Sequence, residues 1–374
     1  MDIANFGVEE WLNVWENDAI YDIAGSSIAS FTLDEIIRID GKTTPEAFFA
    51  ELLKTKMNYG WIEGSPSFKE EVSRLYQTVP PENILQTNGA TGANFLALYA
   101  LIEPNDHVIA MHPSYQQLYD IPKSLGAEVS FWEIDENNDW LPHLADLKEL
   151  IRPNTKMICL NNANNPTGTI LDEAMLKEIV TLAQEVGAYI LVDEVYAPLE
   201  EGMVVPSIVD LYDKGIATNS LSKTYSVPGV RVGWTASNHQ IADIFRKYRD
   251  YTMICAGVFD DYLAVHTLKN KEAVLARNRK IVQDNLAILT AWIAAEPLVS
   301  LVLPKHVSTS FIKLDIPMDV EEFCIKLLKD TGVLLVPGTR FDVPGHARLG
   351  YCAHTDTLKN GLAKLSEYLR QFDV

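Results

Sequence analysis

The sequence predicts an α/β protein: a large domain with a mostly parallel sheet covered by helices, plus a smaller α+β domain. Three observations predict it. Apolar runs of strand length alternate with amphipathic stretches between residues 65 and 238. Some of these runs are almost wholly apolar, as strands buried on both faces must be. The alternation then stops after Asn238. Repeated strand-then-helix order builds a parallel or mixed sheet with helices on both faces.

In chain order, 107–111 reads as a strand and 115–125 as a helix ended by Gly126. Residues 128–132 are a strand, 141–151 carry apolar residues at helical spacing, and 156–160 are a short buried strand. Asp172 starts a helix that runs through Val186, with Gly187 behind it. The run 188–192 is apolar enough for a central strand, and 215–220 and 231–236 are further strands. Beyond them, 241–251 and 271–294 read as helices, the second long enough to be a connector. Strands 299–303 and 309–314, helix 320–330, strands 333–336 and 347–351 and helix 356–372 complete a piece with its own core. The expected division is 45–280 for the large domain, with 1–44 and 281–374 forming the small one.

The chain has 374 residues, which suits two domains of roughly 100–200 residues each. Hydrophobic residues make up 47% and charged residues 22%, so disorder is excluded. Thirty-one Lys and Arg against 51 Asp and Glu leave a net charge of −20. That balance argues against nucleic acid, whose phosphates need Lys and Arg, and against anionic membrane surfaces. No apolar run reaches the ~18 residues of a membrane span. The N-terminal stretch is acidic and lacks the pattern of a secretory signal, so a cytoplasmic protein is expected. Cys159, Cys255, Cys324 and Cys352 form no C-x-x-C pair, and the eight histidines form no H-x-x-x-H or H-E-x-x-H. No metal is expected.

In open α/β sheets, ligands sit outside the carboxyl ends of the strands. Strand 156–160 is followed by a turn cluster, Asn161-Asn-Ala-Asn-Asn165-Pro-Thr-Gly168. Strand 188–192 ends in Asp193-Glu-Val-Tyr196, a carboxylate that either faces a ligand or caps and pairs locally. Strand 215–220 leads into Ser220-Leu-Ser222-Lys223, and Arg231 opens the next strand. A lysine and an arginine flanking a compact loop suggest an anion or a carbonyl compound between them. Upstream, the glycine-rich stretch 86–94 precedes an apolar helix over 95–102. A helix N-terminus of that kind offers free N–H groups and a positive dipole end to a phosphate. Neither a G-x-x-x-x-G-K-[ST] nor a G-x-G-x-x-G motif is present, which excludes a P-loop and leaves a dinucleotide site unsupported.

Taken in order, the glycine-rich turn, Asn-Pro-Thr-Gly, Asp-Glu-Val-Tyr, Ser-Leu-Ser-Lys with Arg231, and Arg348 near the C-terminus resemble the class I/II aminotransferases. These are fold-type-I enzymes that use pyridoxal 5′-phosphate, and the likeness runs from about Tyr59 to the end of the chain. The resemblance implies a seven-stranded, mostly parallel sheet. It implies that Lys223 forms a Schiff base with the cofactor and then moves the α-proton, and that Asp193 faces the pyridine nitrogen. Asn165 and Tyr196 would bind the phenolate oxygen, and Tyr115 would stack on the ring. Ala90, Thr91, Ser220, Ser222 and Arg231 would hold the phosphate. Tyr59 would reach the phosphate of a neighbouring subunit, which makes a homodimer with shared sites. Arg348 would pair with the substrate α-carboxylate, near a glycine loop for which Gly25 is the candidate; Asn165 would also contact substrate. The implied activity transfers an α-amino group between an amino acid and a 2-oxo acid. A lyase or cyclase acting at Cβ or Cγ, as in capreomycidine-synthase-like members, shares every cofactor contact. A regulator of this fold would need an added DNA-binding domain, for which the stretch before Tyr59 is too short.

Overall fold

A computed structural model describes residues 2–372. Its central sheet has the strand order Ile84–Asn88, Val232–Ala236, Gly215–Ser220, Tyr189–Asp193, Thr155–Asn161, His107–His112, Glu128–Asp135, with the two-residue strand Leu141–Pro142 at the far edge. The five strands from Gly215–Ser220 to Glu128–Asp135 are mutually parallel. Val232–Ala236 runs antiparallel to both of its neighbours, and Leu141–Pro142 is antiparallel to Glu128–Asp135. Seven strands therefore form the expected sheet, and the short edge strand adds an eighth. The central strands are buried on both faces, which is why their sequences lack a polar alternation.

One boundary differs from the sequence expectation. The glycine-rich stretch is not a loop leading to a helix at 95. Strand Ile84–Asn88 runs straight into helix Gly89–Leu101, and Gly89 makes the corner at φ +67°. The Thr-Asn-Gly-Ala-Thr-Gly composition looks like a turn, but tertiary packing of Ala93, Leu96 and Ala97 holds it helical.

The second sheet is antiparallel, in the order Val299–Leu301, Ser310–Leu314, His346–Leu349, Val336–Pro337. The stretch 333–336, expected as one strand, is split. Val333–Leu334 pairs in parallel with Tyr21–Asp22, and Val336–Pro337 pairs with His346–Leu349. Helix Lys271–Ile293 spans 23 residues, as the periodicity predicts. Helix Gly7–Trp15 lies against the C-terminal sheet, where Trp11 Nε1 donates to the Leu335 carbonyl at 2.9 Å. No described helix is long and apolar enough to cross a membrane.

Candidate active site

The carboxyl ends of the parallel strands are aligned by register. Asn161 lies opposite Asp193, and Asp193 lies opposite Thr218. Two residues beyond Thr218, Ser220 lies opposite Gly233, and Asn88 is the partner of Val232. Sheet geometry thus brings five distant chain segments to one edge before any side chain is considered. Above that edge is a cavity of about 520 Å³, lined by Gly25, Ala90, Thr91, Tyr115, Asn165, Asp193, Tyr196, Ser220, Ser222, Lys223, Arg231 and Arg348. Every residue expected at the site is here except Tyr59. Tyr59 is 84% exposed and lies on the outer surface beside Met57, Gly60 and Ala256.

Asp193 is buried, and its carboxylate accepts from Asn94 Nδ2 at 2.7 Å and from the Val195 N–H at 3.2 Å. Thr218 Oγ1 donates to Asn94 Oδ1 at 2.5 Å, which fixes the amide so that its nitrogen faces Asp193. Burial pushes the Asp193 carboxyl up to about 6, while the Asn94 hydrogen bond pulls the other way.

Lys223 Nζ donates to Ser26 Oγ at 2.8 Å and approaches Ser27 Oγ at 3.5 Å. Burial brings its ammonium down to about 8; the Arg348 charge adds to this, and Glu9 and Asp193 oppose it. Burial also pushes the Tyr196 hydroxyl up to about 12.

Arg231 sits at φ +55°, just after the 3₁₀ turn Pro228–Val230. Its carbonyl accepts from the Gly89 N–H at 3.0 Å, which ties it to the start of helix Gly89–Leu101. A Cβ on Gly89 would come within 2.7 Å of Arg231 Nη2, and one on Gly233 within 2.6 Å of the Ala90 nitrogen. Two glycines therefore keep open the space where guanidinium, helix amides and the Ser220 and Ser222 hydroxyls converge. The Ser222 N–H donates to Ser220 Oγ at 3.2 Å, which orders that loop.

Arg348 comes from the C-terminal sheet and is 3% exposed. Its Nε donates to the Ala24 carbonyl at 3.1 Å and its Nη1 to Asn165 Oδ1 at 3.2 Å. Among the described residues Nη2 has no partner, and the residue lines the cavity. Glycine at 350 is required by the same corner, because a Cβ there would overlap the Gly25 carbonyl.

Sequence reasoning gave no role to Asn94, Thr218, Ser26 or Ser27, or to the helix Gly7–Trp15, which contributes Val8, Glu9 and Leu12 to the lining. Asn94 did carry a signal: it is a fully buried amide inside an otherwise apolar helix.

A lysine, a buried carboxylate and an anion cradle at the carboxyl edge of a doubly covered sheet define an α/β enzyme with a cleft for a phosphorylated cofactor. The model of the family described as aminotransferase class I and II matches residues 36–365. The chain belongs to that family, whose enzymes depend on pyridoxal phosphate. It is 62% identical to a PLP-dependent aminotransferase from Streptococcus suis 89-1591 with a known crystal structure; the match covers 100% of both chains at a TM-score of 0.98. It is 27% identical to capreomycidine synthase of Streptomyces vinaceus, over 97% of this chain and 93% of that protein. It is 28% identical to aspartate aminotransferase of Thermotoga maritima, over 87% of this chain and 88% of that protein.

Proposed function

We propose that the protein moves an α-amino group between an amino acid and a 2-oxo acid, with Lys223 as the residue that bonds the cofactor's aldehyde carbon. The observation that carries this is that Lys223, Asp193 and Arg348 line one cavity, with both charges acting on the lysine. When bound, pyridoxal phosphate supplies a protonated ring that accepts the electrons released at the substrate Cα.

The residues fit that group. Asp193 is a buried carboxylate with no cation in bonding contact among the described residues, and a pyridinium N–H would supply one. It would hold the ring nitrogen protonated. Asn165 Nδ2 and the Tyr196 hydroxyl, both lining the cavity, would donate to the phenolate oxygen, and Tyr115 would pack on the ring face. The N–H groups of Ala90 and Thr91, the Ser220 and Ser222 hydroxyls and Arg231 would take the phosphate. Arg348, held by Ala24 and Asn165, would present its planar fork to the substrate α-carboxylate. Lys223, brought down to about 8, is an effective base near neutral pH for the proton at Cα. Ser26 accepts from it and limits its swing.

Two further points belong to this reading. The active unit is a homodimer in which Tyr59 reaches the partner's phosphate. Its support is the exposed apolar pair Met57 and Tyr59, which share one surface cleft with Gly60 and Ala256. The domain division at 45–280 against 1–44 and 281–374 puts the cofactor residues on one side and Arg348 with Gly25 on the other.

The test is a panel of amino acids given to the holoenzyme without and then with a 2-oxo acid. Conversion of the cofactor to its amine form, reversed by the oxo acid, supports transfer. Ammonia release without an acceptor, or a cyclised product, would replace it with elimination or cyclisation at Cβ or Cγ. Lys223→Ala should abolish both the cofactor's lysine-bound absorbance and turnover.

A further inference from the structure

Asp193 depends on a side chain that does not line the cavity. Asn94 is fully buried in helix Gly89–Leu101, which packs across strands Gly215–Ser220 and Tyr189–Asp193. The other residues this helix buries are glycine, alanine and leucine. Asn94 Nδ2 donates to Asp193 Oδ2 at 2.7 Å, and the Val195 N–H donates to Asp193 Oδ1 at 3.2 Å. Each carboxylate oxygen thus has one protein donor and keeps a lone pair. The second N–H of Asn94 faces Gln117 Oε1 at 3.4 Å. Thr218 is also fully buried and lies opposite Asp193 in the sheet register. Its hydroxyl donates to Asn94 Oδ1 at 2.5 Å, with the Val192 carbonyl a more distant acceptor at 3.5 Å.

A buried amide is costly unless its polar atoms are bonded, and the two ways of placing this one are not equivalent. The placement described sets an N–H on Asp193 and the amide oxygen on the Thr218 hydroxyl. The reverse would set the amide oxygen against a carboxylate oxygen, two acceptors face to face. By donating to Oδ1, Thr218 favours the placement that turns the N–H toward Asp193. A donor there stabilises the ionised carboxyl over the neutral one. Burial raises the Asp193 carboxyl, and the Asn94 hydrogen bond is the largest effect opposing it. We propose that Asn94, oriented by Thr218, is a positioning residue that keeps Asp193 a carboxylate with a lone pair free for the cofactor's ring nitrogen. Neither Asn94 nor Thr218 lines the cavity, so both act through Asp193. All three side chains are buried within one chain, so a neighbouring subunit adds nothing to the contact. This inference rests on the reading that Asp193 faces the ring nitrogen and adds what holds it to that task.

The experiment measures equilibrium binding of two probes to the full chain freed of cofactor. One is pyridoxal phosphate; the other is its analogue with the ring nitrogen replaced by C–H and the aldehyde, hydroxyl and phosphate kept. Wild type should prefer pyridoxal phosphate by about tenfold to hundredfold, the size of one buried hydrogen bond to a charged group. Asn94→Leu should bring that ratio close to unity while leaving the affinity for the analogue nearly unchanged. Thr218→Val removes only a hydroxyl and should lower the ratio in the same direction. The double variant should be no worse than Asn94→Leu alone, because Thr218 acts through Asn94. A ratio that stays at the wild-type value in Asn94→Leu overturns the proposal, as does an equal loss of both probes in Asn94→Leu and Thr218→Val, which marks a role in folding only. If Asn94→Leu binds neither probe, the ratio in Thr218→Val decides: lowered, it supports the proposal; unchanged, it overturns it. A wild-type ratio near unity overturns instead the underlying reading that Asp193 faces the ring nitrogen.

Discussion

Lys223 must be unprotonated to bond a carbonyl carbon, and its surroundings make that possible at neutral pH. Its ammonium is brought down to about 8 from an ordinary 10.5, first by burial and then by the Arg348 charge. At pH 7 a lysine at the ordinary value is free amine in roughly 3 molecules per 10,000, whereas one at about 8 is free in roughly 1 per 10. Capture of pyridoxal phosphate by the cofactor-free protein should therefore be on the order of 300-fold faster at pH 7 than an exposed lysine would allow. The assay is stopped-flow absorbance of cofactor uptake between pH 6 and pH 10.5, at fixed cofactor concentration. The rate should rise about tenfold per pH unit below the midpoint and level off above about 8. Arg348→Gln removes the second-largest cause, so its midpoint should move to higher pH. Glu9→Gln removes a charge that favours the ammonium, so its midpoint should move to lower pH. A wild-type rate still climbing at pH 10, or midpoints that ignore both substitutions, would refute the electrostatic account of Lys223.

Asp193→Asn keeps an acceptor for Asn94 but loses the charge that, in the proposed reading, faces the ring nitrogen. Turnover should fall by about 10²–10³ while cofactor remains bound, measured as kcat beside cofactor occupancy. Gly350→Ala inserts a methyl into the Gly25 carbonyl, so the segment bearing Ser26 must shift. A loss of about 1–3 kcal/mol should appear as a lower Tm, with a raised KM for the amino acid. The net charge of −20 repels an anionic cofactor at long range, so uptake should quicken as salt rises from about 20 to 200 mM. A rate that falls with salt would mean that Arg231 and Lys223 dominate the field at the entrance.

The elements legible in the sequence are those whose burial leaves a pattern. Tyr189–Asp193 and Thr155–Asn161 are buried on both faces and read as apolar runs, and Gly187 at φ +70° marks the end of its helix. The site residues that announced themselves follow such strands directly: Asp193, Ser220, Ser222 and Lys223 are found by asking what the strand ends carry. Arg348 was legible as a charge inside an apolar strand. The start of helix Gly89–Leu101 was not, since its glycines and threonines look like a turn until strand Val232–Ala236 and Arg231 are packed against them.

The unread part has a common cause. Ser26, Asn94 and Glu9 act on residues 197, 99 and more than 200 positions away, through contacts that no local spacing encodes. Ser26 comes to Lys223 because Tyr21–Asp22 is fixed by Val333–Leu334 and the Ala24 carbonyl by Arg348. Glu9 comes to the cavity lining because Gln116 and Arg340 hold the first turn of its helix at Gly7 and Glu10. In the proposed reading the large sheet aligns the cofactor residues through register. The N-terminal segment has no strand in that sheet; it is positioned by the pairing of Tyr21–Asp22 with Val333–Leu334, by the Gly350 N–H to Ile23 carbonyl bond and by side-chain bonds from Gln116, Arg340 and Arg348. Substitutions in residues 6–27 can then alter one wall of the cavity without disturbing the register that aligns Asn161, Asp193 and Thr218.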